Sequence, residues 1–237
     1  MTDIKRAILK LSGELFQNSG ENINFKRYDD VAKHLISVHK ETEIELAIVV
    51  GGGNIFRGRQ AESQIDMNEA DAMGMMATII NGIGLREAFV RNGATDTRLM
   101  TSISIPQIAE PYIRTKARHH LKHDRMVIVS GGLGMPHFST DSAVAQYANE
   151  LQCDIIFKAS TIDGVYTSDP KKDKSAKRYD SLSYQEALDK RLAVMDRTAF
   201  AMCEKSEIPI FIFDIKDLHK LSDIIKGNFS LGTIIKN

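Results

Sequence analysis

The sequence has no surplus of either charge: 31 lysines and arginines stand against 31 aspartates and glutamates. A net charge of zero leaves no field to draw the chain to nucleic acid or to an anionic membrane, so any anion it handles must be met by local groups. Cysteine is scarce, and Cys153 and Cys203 fit neither a metal spacing nor a disulfide framework, which points to a reducing compartment. No run approaches the roughly 20 apolar residues of a membrane span. The N-terminal MTDIKRAILKLSGE carries charges inside its only apolar run, unlike a secretory leader. Together these absences predict a soluble cytoplasmic protein. Internal repeats and low-complexity tracts are also missing. So are two nucleotide signatures: G-x-x-x-x-G-K-[ST] does not occur, and Phe56 stands where G-x-G-x-x-G needs its last glycine after Gly51 and Gly53.

What the chain does contain is an alternation. Short runs rich in Ile, Val and Leu recur at residues 7–11, 45–50, 97–103, 125–130, 154–160 and 208–215. Continuous apolar runs of that length suit strands buried on both faces. Segments of helical period lie between them, at 27–41, 69–91, 114–122, 141–151, 183–190, 196–207 and 216–226. Strand and helix alternating along one chain predict right-handed βαβ crossovers, hence an α/β fold: a three-layer sandwich of an open, mainly parallel sheet with helices on both faces. A single domain over 1–237 is the simplest division of this length. The polar stretch 167–177 reads as an exposed loop after the fifth of these strands.

In open α/β sheets ligands bind beyond the carboxyl ends of the strands. Four strand ends run into small residues with a charged or hydroxyl partner: Lys10-Leu11-Ser12-Gly13-Glu14, the glycines Gly51 to Gly53 followed by Arg57, Ser130-Gly131-Gly132-Leu133-Gly134, and Lys158-Ala159-Ser160-Thr161. Glycine lets backbone N–H groups approach a ligand and helix N-termini favour negative charge, so several such loops on one edge would form a polyanion site. Taken alone, each loop is equally a structural turn. The charges add weight to the first reading. Lys10 and Lys158 lie inside apolar strand ends, where an unpaired ammonium is costly, and with Arg57 they suit the charge on a transferring phosphoryl group. A Lys158 that merely snorkels to the surface is the plainer reading.

Phe138-Ser139-Thr140-Asp141 reads as a helix N-cap, which accounts for the hydroxyls but not for the Gly132-Leu133-Gly134-Met135-Pro136 segment before them, shaped to wrap a ligand. Asp71, near the start of its helix, is a further candidate. The methionines around it are expected to be core filler, and His119, His120 and His123 to be surface residues without a metal-ligand pattern. No Ser/His/Asp or Cys/His set stands out for nucleophilic catalysis.

In order along almost the whole chain, KLSGE, VVGGGNIFRG, DAMGMMATIINGIGLREA, TRLMTSI, GLGMPHFSTD, DGVYTSDP and VMDRTAFAMC resemble the amino acid kinase superfamily, in the branch whose acceptor is UMP. The resemblance implies transfer of the ATP γ-phosphate to UMP, giving UDP and ADP, with Mg²⁺ accompanying the ATP and no metal held by the protein alone. Carried over by position, it places Lys10, Leu11, Ser12, Gly13, Gly53 and Arg57 along the ATP phosphates. Ser160, Tyr166 and Asp169 fall on the base and ribose side. For UMP it implies Gly52, Asp71 and the segment Leu133, Gly134, Met135, Pro136, His137, Phe138, Ser139 and Thr140. Lys10, Arg57, Asp141, Lys158 and Asp163 form the implied catalytic set. Arg98 and Arg125 match a regulatory region through which GTP would activate and UTP inhibit, and a homohexamer is implied.

An acceptor phosphate oxygen is already ionised near neutral pH, so such a reaction needs positioning and charge neutralisation and no general base. The chain departs from the family pattern at Leu133 and Met135, where Thr and Asn are frequent, and at Thr161, which replaces a second lysine. Those changes touch contacts to the bases and leave the phosphate chemistry alone. The loop 17–22 is poorer in glycine than the one linked with GTP activation. Two alternatives stand beside this reading: a kinase of the same fold acting on a carboxylate or carbamate, and a noncatalytic nucleotide-binding protein. The second sits poorly with the presence of Lys10, Arg57 and Lys158 together.

Overall fold

In the computed structural model, residues 4–58, 64–192 and 195–237 are described. Along them follow β1 (Arg6–Leu11), α1 (Phe25–Thr42), β2 (Glu45–Val50), α2 (Met67–Arg91), β3 (Arg98–Thr101), β4 (Glu110–Pro111), α3 (Arg114–Lys122), β5 (Val127–Ser130), α4 (Thr140–Leu151), β6 (Ile155–Ser160), β7 (Ser181–Leu182), α5 (Tyr184–Asp189), α6 (Arg197–Ser206), β8 (Ile210–Asp214), α7 (Leu221–Ile225) and β9 (Gly232–Ile235). Short 3-10 turns at Gly13–Phe16 and Ile215–Lys220 follow β1 and β8. One nine-stranded sheet results, ordered β4-β3-β5-β2-β1-β6-β8-β9-β7. Every neighbouring pair is parallel except β8 with β9.

The continuous apolar runs belong to the central strands because both faces are covered. Ala7, Leu9 and Leu11 of β1 pack with Leu35 of α1, Leu85 and Phe89 of α2 and Leu221 and Ile224 of α7. Ile8 points the other way, into a second cluster with Leu121 of α3, Val144, Tyr147 and Leu151 of α4, Tyr184 of α5 and Phe200 of α6. Helices therefore cover both faces, and each strand divides its side chains between them by the two-residue alternation of the pleat. That parity fixes the face on which Lys10 emerges: the face of Ile8 and of α4.

The predicted fold class is observed, with additions at the margins. β4 and β7 have two residues each and carry no readable period. β9, Gly-Thr-Ile-Ile, is too short an apolar run to stand out, and it lies between β8 and the edge strand β7, antiparallel to β8. The last predicted helix, 216–226, begins as the 3-10 turn and becomes regular only at Leu221. Among the described residues, no helix is long and apolar enough to cross a membrane.

Candidate active site

The parallel register sets Lys10 of β1 directly beside Lys158 of β6. Two ammoniums on one face of adjacent strands repel, so the pair needs an anion between them. Asp141 supplies it from the first turn of α4: its Oδ2 lies 2.8 Å from Lys158 Nζ and its Oδ1 3.3 Å from Lys10 Nζ. All three side chains are largely buried, at 12–17% exposure. Burial alone would raise the Asp141 carboxyl, but attraction to Lys10 and Lys158 outweighs it and holds the group below the usual carboxylate range. Lys158 is pushed below the usual lysine range by burial and by Lys10, against the opposing pull of Asp141. Asp141 thus bridges both cations at the sheet's carboxyl edge. Snorkelling does not describe this lysine.

The glycine loops after β1 and β2 form one structure. A Cβ on Gly13 would lie 2.4 Å from Asn54 Oδ1 and 2.8 Å from Gly53 N, so the two loops touch backbone to backbone and admit no side chain. Gly51 N donates to Leu11 O at 2.9 Å. Gly52 lacks a side chain for another reason: its Cα packs on α2, where a Cβ would come within 2.8 Å of Ala77. Leu11 is fully buried among α1 and α2, which leaves its backbone alone for a ligand.

Sequence reasoning missed the residues that brace these loops. Asn81, fully buried in α2, donates to Gly51 O and Asn54 Oδ1, each at 2.7 Å, and accepts from Tyr28 Oη at 2.6 Å. The available signal was Thr78 and Asn81 in an otherwise apolar helical stretch, since buried polar groups are there to be bonded. Arg57 is half-exposed and folds back, with Nε donating to Gly53 O at 2.9 Å and Nη2 paired with Glu14.

On the other side of α4, the Gly131 to Thr140 loop is pinned by side chains. Thr78 accepts from Gly131 N at 2.7 Å, and Ser102 and Tyr147 hydroxyls donate to Gly131 O and Gly132 O, each at 2.6 Å. Asp71 accepts from His137 N at 2.7 Å, so it braces the loop as well as bordering it. Ser139 caps α4, accepting from Asp141 N at 2.9 Å and Ser142 N at 3.2 Å. Its hydroxyl is paired with Asp196, which also accepts from Ser142 Oγ at 3.1 Å and caps α6 through Ala199 N at 2.8 Å. Asp196 had no predicted role, although it stands in the VMDRTAFAMC segment. Met135 and Phe138 are exposed, at 52% and 40%, whereas Leu133 packs toward the core.

Beyond β6 opens a cleft of about 490 Å³ that gathers Lys158, Ser160, Tyr166 and Asp169, all predicted site residues. Ile162, Val165 and Ile212 give it apolar walls. Asp163 is drawn away from the lysines: it accepts from Tyr166 Oη at 2.7 Å and pairs with Arg178 Nη1 at 2.9 Å. It acts behind the cleft by holding the Tyr166 hydroxyl.

Arg98 and Arg125 come together at the edge where the parallel strands begin, both on Asp96. His120 differs from expectation: it is buried, with Nε2 3.2 Å from Glu110 and Nδ1 3.2 Å from Arg125, because α3 turns it inward to these charges. The methionines depart too. Met73 and Met76 are 49% and 45% exposed and lie with exposed Ile80 along one face of α2, since the helix buries Ala77, Thr78 and Asn81 instead.

The amino acid kinase family model matches residues 5–214. The chain belongs to the amino acid kinase family. Within that family, a uridylate kinase of Zymomonas mobilis is 42% identical over 234 residues, spanning 98% of this chain and 96% of its own. The UMP kinase structure from Bacillus anthracis superposes with a TM-score of 0.94 at 39% identity, covering 98% of this chain and 96% of its own. That from Ureaplasma parvum gives 0.91 at 34% identity over 99% of both chains. The uridylate kinase structure from Archaeoglobus fulgidus gives 0.73 at 26% identity, over 97% of this chain and 99% of its own.

Proposed function

We propose that this amino acid kinase family member transfers the γ-phosphate of ATP to UMP, giving UDP and ADP, as one unit spanning 1–237. The observation that carries the reading is the buried Lys10, Asp141 and Lys158 group. Lys158 opens into the 490 Å³ cleft, and Asp141 is anchored through Ser139 to the Gly131 to Thr140 loop. A donor in the cleft and an acceptor under the loop meet at the two strand-end ammoniums. ATP's base and ribose take the Ser160, Tyr166 and Asp169 side, and its phosphates run over Ser12, Gly13 and Gly53. UMP takes Asp71, Gly52 and the Leu133 to Thr140 loop.

The acceptor oxygen arrives ionised, so the protein aligns it and neutralises charge as the phosphoryl group crosses. Lys10 and Lys158 meet that charge from the sheet, and Asp141 keeps both ammoniums in place while the site fills. Arg57, released from Glu14, reaches the same path. Among the described residues, no group of three or more His, Cys, Asp or Glu could hold a metal ion. Mg²⁺ accompanying ATP is held mostly by nucleotide phosphates and waters with one or two carboxylates. Asp141, whose buried Oδ1 has no hydrogen-bond partner, is the carboxylate placed to join it. Bound there, the ion would add charge neutralisation on the phosphates.

Three further readings belong to this proposal. The exposed Met73, Met76 and Ile80 face of α2 favours association with further copies, the homohexamer being the expected form. The arginines gathered on Asp96 offer a GTP-responsive, UTP-sensitive site away from the chemistry. Cys153 and Cys203, both free and buried, favour a reducing compartment, the cytoplasm.

The deciding experiment is coupled ADP release with UMP, CMP, dUMP, carbamate and acetylglutamate as acceptors. Strong preference for UMP is expected; equal turnover of CMP, or turnover only on a carboxylate, overturns the assignment. In the same assay Arg57→Ala should lose most of its rate while staying folded.

A further inference from the structure

The donor cleft has a rim that the reading above does not use. Lys190, Arg191 and Leu192, just past α5, close it opposite Lys158 and Ser160. Arg191 and Leu192 also line a second cavity of about 460 Å³, between α5 and α6, which reaches Asp196, the partner of Ser139. Arg191 therefore stands in the wall between the base-side cleft and the space leading to the N-terminus of α4. Lys158, Lys190 and Arg191 give the cleft lining three cations, against the single carboxylate of Asp169. Lys190 already has a partner, its ammonium lying over the Tyr179 ring at 5.4 Å. The Arg191 guanidinium has no hydrogen bond or ion pair among the described residues. Arg191 is exposed, so its fork is open to an incoming ligand, and a planar guanidinium suits phosphate oxygens.

We propose that Arg191 is a positioning residue for the donor nucleotide, pairing with the phosphate chain of ATP at the mouth of the cleft. The inference rests on the assignment of ATP to that cleft. Arg191 binds and orients the donor; the transfer itself stays with the lysines.

The backbone at Arg191 supplies a discriminating test. Its φ is 51°, in the left-handed region that glycine fills most easily. Arg191 N donates to Leu188 O at 2.9 Å and Leu192 N to Ala187 O at 3.0 Å, the paired closure of a helix C-terminus. Glu43, Gln152 and Glu207 hold similar positions, so the geometry is not itself evidence of function. It does mean that glycine fits there better than arginine. A merely structural Arg191 predicts that R191G is neutral or beneficial everywhere; a clamp predicts that stability and affinity part company.

Initial rates with ATP and UMP varied separately, together with thermal melting, would be measured for wild type, R191G and R191K. For R191G the KM for ATP is expected to rise about tenfold, the loss of one charge-assisted contact, while the KM for UMP holds. Its melting midpoint should stay level or rise by about a degree or two. R191K should recover part of the loss, as a point charge without the fork. In calorimetry, ADP binding to R191G should weaken about tenfold and adenosine binding should not change. An unchanged KM for ATP in R191G overturns the proposal, and so does equal weakening of adenosine, which would put the side chain on the base. Should R191G not fold, R191N, which also tolerates the left-handed region, carries the same measurements. If wild type binds ADP but does not turn over UMP, the functional assignment fails while the ADP comparison still decides Arg191.

Discussion

Two charge clusters lie at opposite edges of this sheet, and they are built differently. At the carboxyl edge, Lys10, Asp141 and Lys158 are packed to 12–17% exposure, with Asp141 bridging the two ammoniums. At the edge where the parallel strands begin, Asp96 holds Arg98 and Arg125 while Glu110 holds Lys116 and faces His120 and Arg98. There Asp96 is 53% exposed and Lys116 46%, with Arg98, Arg125 and Glu110 partly buried and only His120 turned fully inward. Water and salt screen the exposed cluster, so its pairs contribute little individually and can change partners. The buried cluster cannot rearrange, so its charges are held in one place. Burial fixes one group in place, and greater exposure leaves the other able to exchange partners with water and salt.

The sharpest way to break this contrast is to remove a buried cation. Lys158→Ala should lower turnover about 10³-fold at saturating substrates, as expected for a charge aimed at the reacting group. A variant that kept a tenth of the rate would show that burial had not made Lys158 essential.

Next is the shared anion. Asp141→Asn leaves two ammoniums without their partner and should cost about 3 kcal/mol in urea unfolding. In wild type the Asp141 pKa is lowered, so its contribution is present above the ordinary carboxylate value of about 4 and is lost as pH falls through the lower folded value. Wild type and Asp141→Asn should therefore approach each other in stability only in that acid window. At the alkaline end, the lowered Lys158 ammonium is lost as pH rises, so the rate should fall below the ordinary lysine value of about 10.4. Without the pull of Asp141, that alkaline limb should move to lower pH, which a profile of kcat/KM would register.

The smallest effect is expected at the exposed edge. Asp96→Ala should shift the melting midpoint by less than about 2 °C at physiological ionic strength, with a larger shift at low salt. Its basal rate should be close to wild type, while the response to added GTP changes. A large loss of stability in high salt would place this cluster with the buried one.

Much of the site was legible because its chemistry sits at strand ends. A lysine inside an apolar run, or three glycines after one, is anomalous wherever the strand lies, and Lys10, Lys158 and Gly51 to Gly53 were found on that ground. Asn81, Tyr28 and Asp196 were not, because each matters through a partner distant in sequence: Gly51 and Asn54 for Asn81, Ser139 for Asp196. His120 and the α2 methionines were misplaced for a related reason. Which face of a helix is buried depends on what packs against it, and small Ala77 and Gly74 let α2 approach Gly52 while Met73 and Met76 remain outside.

By itself the sequence determined the α/β alternation and the kinds of group at the strand ends, since hydrophobic period and the cost of burying charge are local properties. Only the tertiary structure decided that Lys10 faces Lys158 in register, that Asp141 from a later helix stands between them, and that Asp163 turns instead to Arg178 and Tyr166. Register and crossover order arise from packing the whole sheet, so a carboxylate's partner is settled by which strands become neighbours and not by the residues on either side of it.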